Sequence, residues 1–189
     1  MSILGYLTVA TCILWWGSEV AISVITHSNP WSTKQDRLSY WIVWLSFLIS
    51  ILAGVALSKI EAGRIALFAP FTGYAGCLII AGGVGIRLVA VFTLGRQFTL
   101  QVSIVEDHRI IDYGIYKSLR HPAYLGSLVA FIGFALAMEN WISLPITLTL
   151  PLASILYRIG VEEKALLGHF GTQYEEYCRR TNRLLPRIY

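Results

Sequence analysis

Long apolar runs separated by short polar stretches set the pattern of this chain. Residues 3–25 form the first run, interrupted only by Glu19. Residues 40–58 form the second, and residues 71–94 the third, with Arg87 inside it. Two shorter runs follow at 123–138 and 141–157, separated by Glu139 and Asn140 alone. A helix needs about 20 mainly apolar residues to cross a bilayer. The pattern therefore predicts an all-α integral membrane protein with five transmembrane helices in one domain, 1–189, the last two helices joined as a tight hairpin. Pro145 and Pro151 are expected to bend the fifth helix, which a membrane tolerates where neighbouring helices satisfy the freed carbonyls. The first run has no Lys or Arg before it and no small-residue cleavage site after it, so it reads as a span and not as a signal peptide.

Composition sharpens this picture. The chain is 56% hydrophobic and only 14% charged, with a mean hydropathy of +0.62; soluble domains carry about 25% charged residues. Disorder, a nucleic-acid-binding domain and an ordinary soluble enzyme are excluded. Of 15 Lys and Arg, all but Lys59, Arg64 and Arg87 fall in the loops 26–39 and 95–120 or in the tail from 158. Positive charge is retained on the cytoplasmic side, so the N-terminus is expected outside and the C-terminus in the cytoplasm. Segments 95–122 and 158–189 then share the cytoplasmic face with most of the unusual polar residues, and chemistry is expected there. Three cysteines without zinc-ligand spacing, and four histidines without an HxxxH or HxH pattern, argue against a metal.

Four features could carry chemistry. Arg87 lies inside an apolar run, where an ionisable residue is a functional candidate by default. It reads as an anion clamp whose planar guanidinium matches a carboxylate, the alternative being a side chain that snorkels to the headgroups. Arg158 and Glu162 are i and i+4 neighbours on a continued helix, a spacing that also suits a solvated ion pair. The stretch GIYKSLRHPAYLG at 114–126 leads into the fourth run. Pro122 suits a first helical turn and biases His121 towards extended backbone, which places Arg120 and His121 on an irregular entry. Apolar or aromatic residues at 166, 167, 170, 174 and 177 predict an amphipathic tail helix, with Tyr174 and Tyr177 read as packing residues.

In this order GIYKSLRHPAYLG, RxxxEE at Arg158, Glu162 and Glu163, and FGxxYxxY followed by RLLP in the tail resemble the isoprenylcysteine carboxyl methyltransferase family, within the wider group that includes phospholipid methyltransferases. The resemblance covers about residues 84–189. That family transfers a methyl group from S-adenosylmethionine to a lipophilic acceptor, and its eukaryotic members methylate the carboxylate of a C-terminal prenylated cysteine. The resemblance implies a cofactor pocket of Gln101, His108, Arg109, Ile110, Ile111, Tyr116, His121, Pro122, Ala123, Tyr124 and Glu162. It further implies a catalytic pair, with Arg158 contacting substrate and Arg87 near the reacting carboxylate. The cytoplasmic loop and the C-terminal helix would form the pocket, since the chain has no GxGxxG.

A carboxylate acceptor is ionised at pH 7, its unperturbed pKa being about 3.3–3.7. It needs no general base, only positioning. The lipophilic acceptor would enter sideways from the surrounding membrane lipid and the cofactor from the cytoplasm. The alternative is a phospholipid or other small-acceptor methyltransferase, whose amine would call for a base and anionic partners. A non-enzymatic membrane scaffold leaves the motif order unexplained. No nucleic-acid or metal partner is expected.

Overall fold

The structure, a computed structural model, describes residues 3–27, 33–36, 38–65, 68–69, 71–100, 102–104 and 109–185. Among the described residues, the fold is built on five apolar helices and a short tail helix: α1 (Ile3–His27), α2 (Leu38–Leu57), α3 (Phe71–Leu94), α4 (Pro122–Ala137), α5 (Ser143–Phe170) and α6 (Thr172–Arg180). The third helix has the bounds its apolar run predicts. Among the described residues, four helices are long and apolar enough to cross a membrane. With 16 residues, α4 rises about 24 Å and falls short of the roughly 30 Å hydrocarbon core. Only four of the five expected helices therefore meet the length of a span. Large apolar side chains such as Leu14, Leu78 and Phe92 face outward, as they do where lipid is the solvent.

The expected tail helix needs one correction. The fifth apolar run ends at Tyr157, and its helix continues, as the i, i+4 spacing of Arg158 and Glu162 assumes, through Pro151 and past Glu162 and Glu163 to Phe170. No residue with a helix-breaking backbone intervenes until Gly171, whose φ of 54° is a left-handed value that glycine adopts without strain. Residues 166, 167 and 170 accordingly belong to α5, and α6 begins only at Thr172. The all-α reading stands, with one short addition among the described residues: two strands, β1 (Thr33–Asp36) and β2 (Val102–Ile104), pair antiparallel. At four and three residues they are too short to announce themselves by alternation. Their ladder ties the segment after α1 to the segment after α3, so these two loops share one end of the bundle, as the charge count requires.

Packing is closest between α3 and α4, through small residues. A Cβ on Gly83 would lie 2.5 Å from the Ala130 nitrogen, and one on Gly76 would lie 2.5 Å from the Ala137 nitrogen. Small residues let membrane helices approach to backbone contact. Gly126 does the same against Arg87, where a Cβ would stand 2.7 Å from the Arg87 nitrogen. The glycine of the 114–126 stretch thus docks the start of α4 on the turn that carries Arg87. The main core gathers Phe131, Ile80, Ile155 and Ile159, with Trp15 and Phe47 set edge-on to Phe131 at 4.8 and 4.7 Å.

The hairpin between α4 and α5 is as tight as expected. Asn140 is fully buried there. Its Nδ2 donates to the Ile60 carbonyl at 2.9 Å, and its Oδ1 accepts from the Ile142 N–H at 2.9 Å and the Ser143 N–H at 3.3 Å.

Candidate active site

At the other end of the bundle, α1–α6 and the segments 97–100 and 109–111 enclose one cavity. Its empty space, the part open to solvent included, is about 1320 Å³. Two walls differ in chemistry. Val43, Trp44 and Phe47 of α2 form an apolar wall; Tyr116, His121, Tyr124, Glu162 and Tyr174 form a polar and aromatic one.

Arg87 points into the bundle and is buried, so it does not snorkel. Its Nε and Nη2 meet the Glu19 carboxylate, the latter at 2.7 Å, and its Nη1 donates to the Ala123 carbonyl at 3.2 Å. Arg158 braces three segments at once. Its Nε donates to the Tyr124 hydroxyl at 3.2 Å, its Nη1 to Ser39 Oγ at 2.5 Å and its Nη2 to the Leu100 carbonyl at 2.5 Å. The Tyr124 hydroxyl in turn donates to Glu162 Oε2 at 2.9 Å. Tyr124 thereby bridges the two α5 residues that sequence spacing placed side by side.

Glu163 explains why the motifs occur together. Its carboxylate takes Arg120 Nε at 2.9 Å, His121 Nε2 at 3.3 Å and Arg183 Nη2 at 2.7 Å. Backbone bonds reinforce this joint, from the Arg120 N–H to the Asn182 carbonyl at 2.8 Å and from the His121 N–H to the Arg183 carbonyl at 3.0 Å. The entry to α4, the end of α5 and the tail are therefore one unit, and Leu184 continues from it into the core. The Tyr177 hydroxyl donates to the Tyr116 carbonyl at 2.8 Å. Burial, and next the Glu162 carboxylate, push the Tyr116 phenol above its ordinary value, and burial does the same at Tyr177. Both phenols stay protonated at neutral pH and serve as donors and aromatic faces, not as bases.

Of the residues singled out from sequence, Arg87, Arg158, Arg109, Ile110, Ile111, Tyr116, His121, Ala123, Tyr124 and Glu162 line the cavity. Pro122 is buried in the first turn of α4 and sets that turn without lining the space. Gln101 and His108 lie outside the described residues. Sequence reasoning passed over Glu19, Tyr40, Trp44 and Gln97, all of which line the cavity. The Gln97 side chain accepts the Arg109 N–H at 2.6 Å and holds the 109–111 segment in place. Tyr174 and Tyr177 pack, as expected, and face the cavity as well.

Likeness to known proteins bears on this geometry. Residues 75–168 match the model of the isoprenylcysteine carboxyl methyltransferase (ICMT) family. A protein of Oryza sativa subsp. indica, named probable protein-S-isoprenylcysteine O-methyltransferase, is 30% identical over 97% of this chain and 96% of its own length. The protein-S-isoprenylcysteine O-methyltransferase of Saccharomyces cerevisiae is 34% identical over 60% of this chain and 48% of its own. A solved structure of the eukaryotic intramembrane Ras methyltransferase ICMT superposes with a TM-score of 0.60 at 25% identity, covering 93% of this chain and 63% of that one.

Proposed function

The chain belongs to the isoprenylcysteine carboxyl methyltransferase family, and we propose that its cavity carries methyl transfer from S-adenosylmethionine to the carboxylate of a lipophilic, prenylcysteine-type acceptor. One observation carries the reading: a single cavity joins an acid-and-aromatic wall to an apolar wall, with Arg87 and Arg158 lining it as well. The donor set fits the cofactor: Glu162 would pair with its ammonium, and the Tyr124 and Tyr174 faces would attract its cationic sulfur. When bound, the cofactor supplies a methyl group on that sulfur, which keeps the electron pair of the broken bond.

The protein's own work is placement. Arg158 would present the acceptor carboxylate while its braces to Ser39, Tyr124 and Leu100 keep the guanidinium from moving. The protonated tyrosines fit an acceptor that arrives already ionised. An acceptor tail would enter from lipid at the seam between α1 and α2: α1 packs on α3 and α2 on α5, and at that seam the rings of Trp16 and Trp44 lie 5.8 Å apart, with Trp44 lining the cavity. The polar wall would open to the cytoplasm, the N-terminus lying outside. The test is transfer of a labelled methyl group by purified protein to prenylcysteine and phospholipid acceptors side by side. Transfer to prenylcysteine carboxylates is expected; transfer to lipid amines alone would overturn the acceptor class. Absence of cofactor binding by the folded protein would overturn the whole reading.

A further inference from the structure

The α1 helix carries one charged residue, Glu19, and α3 carries one, Arg87. Both are buried, both line the cavity, and they form an ion pair. The pairing is specific in its geometry. Glu19 covers the Nε and Nη2 side of the guanidinium: Nη2 donates to Oε2 at 2.7 Å, and Oε1 stands in ion-pair contact with Nε without a hydrogen bond between them. That side is the fork with which an arginine grips a carboxylate through two parallel bonds. Nη1 remains on the other side, sharing a hydrogen with the Ala123 carbonyl.

We propose that Glu19 is a positioning residue for methyl transfer: by filling the two-point fork of Arg87, it limits the acceptor carboxylate to the Nη1 edge and leaves one acceptor oxygen free to attack. This rests on the function proposed above. Two physical consequences follow. A carboxylate held at both oxygens points its in-plane lone pairs at N–H groups and is a poor nucleophile. Methyl transfer from a sulfonium to a carboxylate also removes charge from both partners. An uncompensated arginine in a low-dielectric cavity would then stabilise the ionised acceptor more than the transition state, tightening binding while slowing the reaction. With Glu19 in place the pair is neutral, and the acceptor is oriented without being trapped.

The sign of the effect separates this role from a merely structural one. In Glu19→Gln the fork loses its counter-charge and the acceptor carboxylate takes it over. The acceptor KM should fall by about threefold or more and kcat by about tenfold or more, with cofactor affinity by calorimetry unchanged. Because Glu19 acts through Arg87, Glu19→Gln should change nothing further in an Arg87→Gln background. If Glu19→Gln does not fold, Glu19→Asp carries the test: its shorter carboxylate loosens the fork and should shift both constants in the same directions by less. Unchanged constants in the folded variant, a raised KM at unchanged kcat, or additive losses in the double variant would each overturn the proposal while leaving the proposed reaction intact. A wild-type protein that binds cofactor and methylates no carboxylate acceptor would overturn both.

Discussion

Asn140 and Glu163 each gather three partners at opposite ends of the bundle, and the partners differ in kind. Those of the Asn140 side chain are the Ile60 carbonyl and the Ile142 and Ser143 N–H groups, all backbone and all neutral. Those of Glu163 are the cationic or titratable side chains of Arg120, His121 and Arg183, from two separated segments, the entry to α4 and the tail. A buried amide that bonds backbone closes a turn and leaves no room beside it. A carboxylate that collects side chains from distant segments makes a joint between elements, and the cavity lies against that joint. One end therefore holds the helices together, while the other assembles a site.

The largest effect is expected from breaking the joint. In Glu163→Gln, Arg120 keeps its bonds to the Cys178 and Thr181 carbonyls and Arg183 is partly exposed, but neither retains its counter-charge. Removing one partner of a buried ionic cluster costs about 3–5 kcal/mol, and the exposure of Arg183 favours the lower end of that range. The variant should melt earlier in detergent and lose measurable binding of S-adenosylmethionine. Normal melting with normal cofactor affinity would show that the three motifs do not depend on the joint.

Next in size is Arg158→Lys, which keeps the charge and loses the fixed fork that reaches Tyr124, Ser39 and Leu100. A lysine ammonium without those braces would misplace the acceptor carboxylate, and a misplacement of about 1 Å can lower turnover about a hundredfold. Cofactor affinity should change little, because the cofactor's cation belongs beside Glu162. A parallel loss of cofactor binding would move Arg158 from the acceptor to the cofactor. Glu162→Ala should do the reverse, weakening cofactor binding by about 1.5–3 kcal/mol, read by calorimetry, with a smaller effect on the acceptor KM.

How far the sequence reveals these ends differs with the range of the contacts. Apolar runs predict the helices because each satisfies its own backbone, and the hairpin at Glu139 and Asn140 is equally local. The motif order is visible too, but its cause is not: Arg120, Glu163 and Arg183 meet through a fold that no spacing reports. Arg158 is the same case, since Ser39 and the Leu100 carbonyl are residues without any chemical mark in the chain. The Glu19–Arg87 pair was within reach. Glu19 stands 16 residues after the start of α1 and Arg87 16 after the start of α3. With helices reversing direction at each crossing, α1 and α3 run parallel, so two lone opposite charges at equal depth should pair. The reading of Arg87 as a free clamp missed this by treating each run separately.

The smallest expected effect falls at the closed end. Asn140→Ala leaves the Ile60 carbonyl and the Ile142 N–H without their side-chain partner, and an unsatisfied buried group costs about 1–3 kcal/mol. Bonds that do not involve this side chain survive, among them Trp141 N–H to the Gly63 carbonyl at 2.8 Å and Ile65 N–H to the Glu139 carbonyl at 2.8 Å. The loss should therefore stay near the lower figure. Melting in detergent should come earlier, but by less than in Glu163→Gln. At a temperature well below that melting point, cofactor affinity and both acceptor constants should match the unaltered protein, because Asn140 lies at the far ends of α4 and α5 from the cavity. Equal stability losses at Asn140 and Glu163, or a fall in cofactor affinity in Asn140→Ala, would mean that the two ends are coupled through α4 and α5. The close packing of α4 on α3 at Gly126 and Gly133 would then be the first place to look for the route.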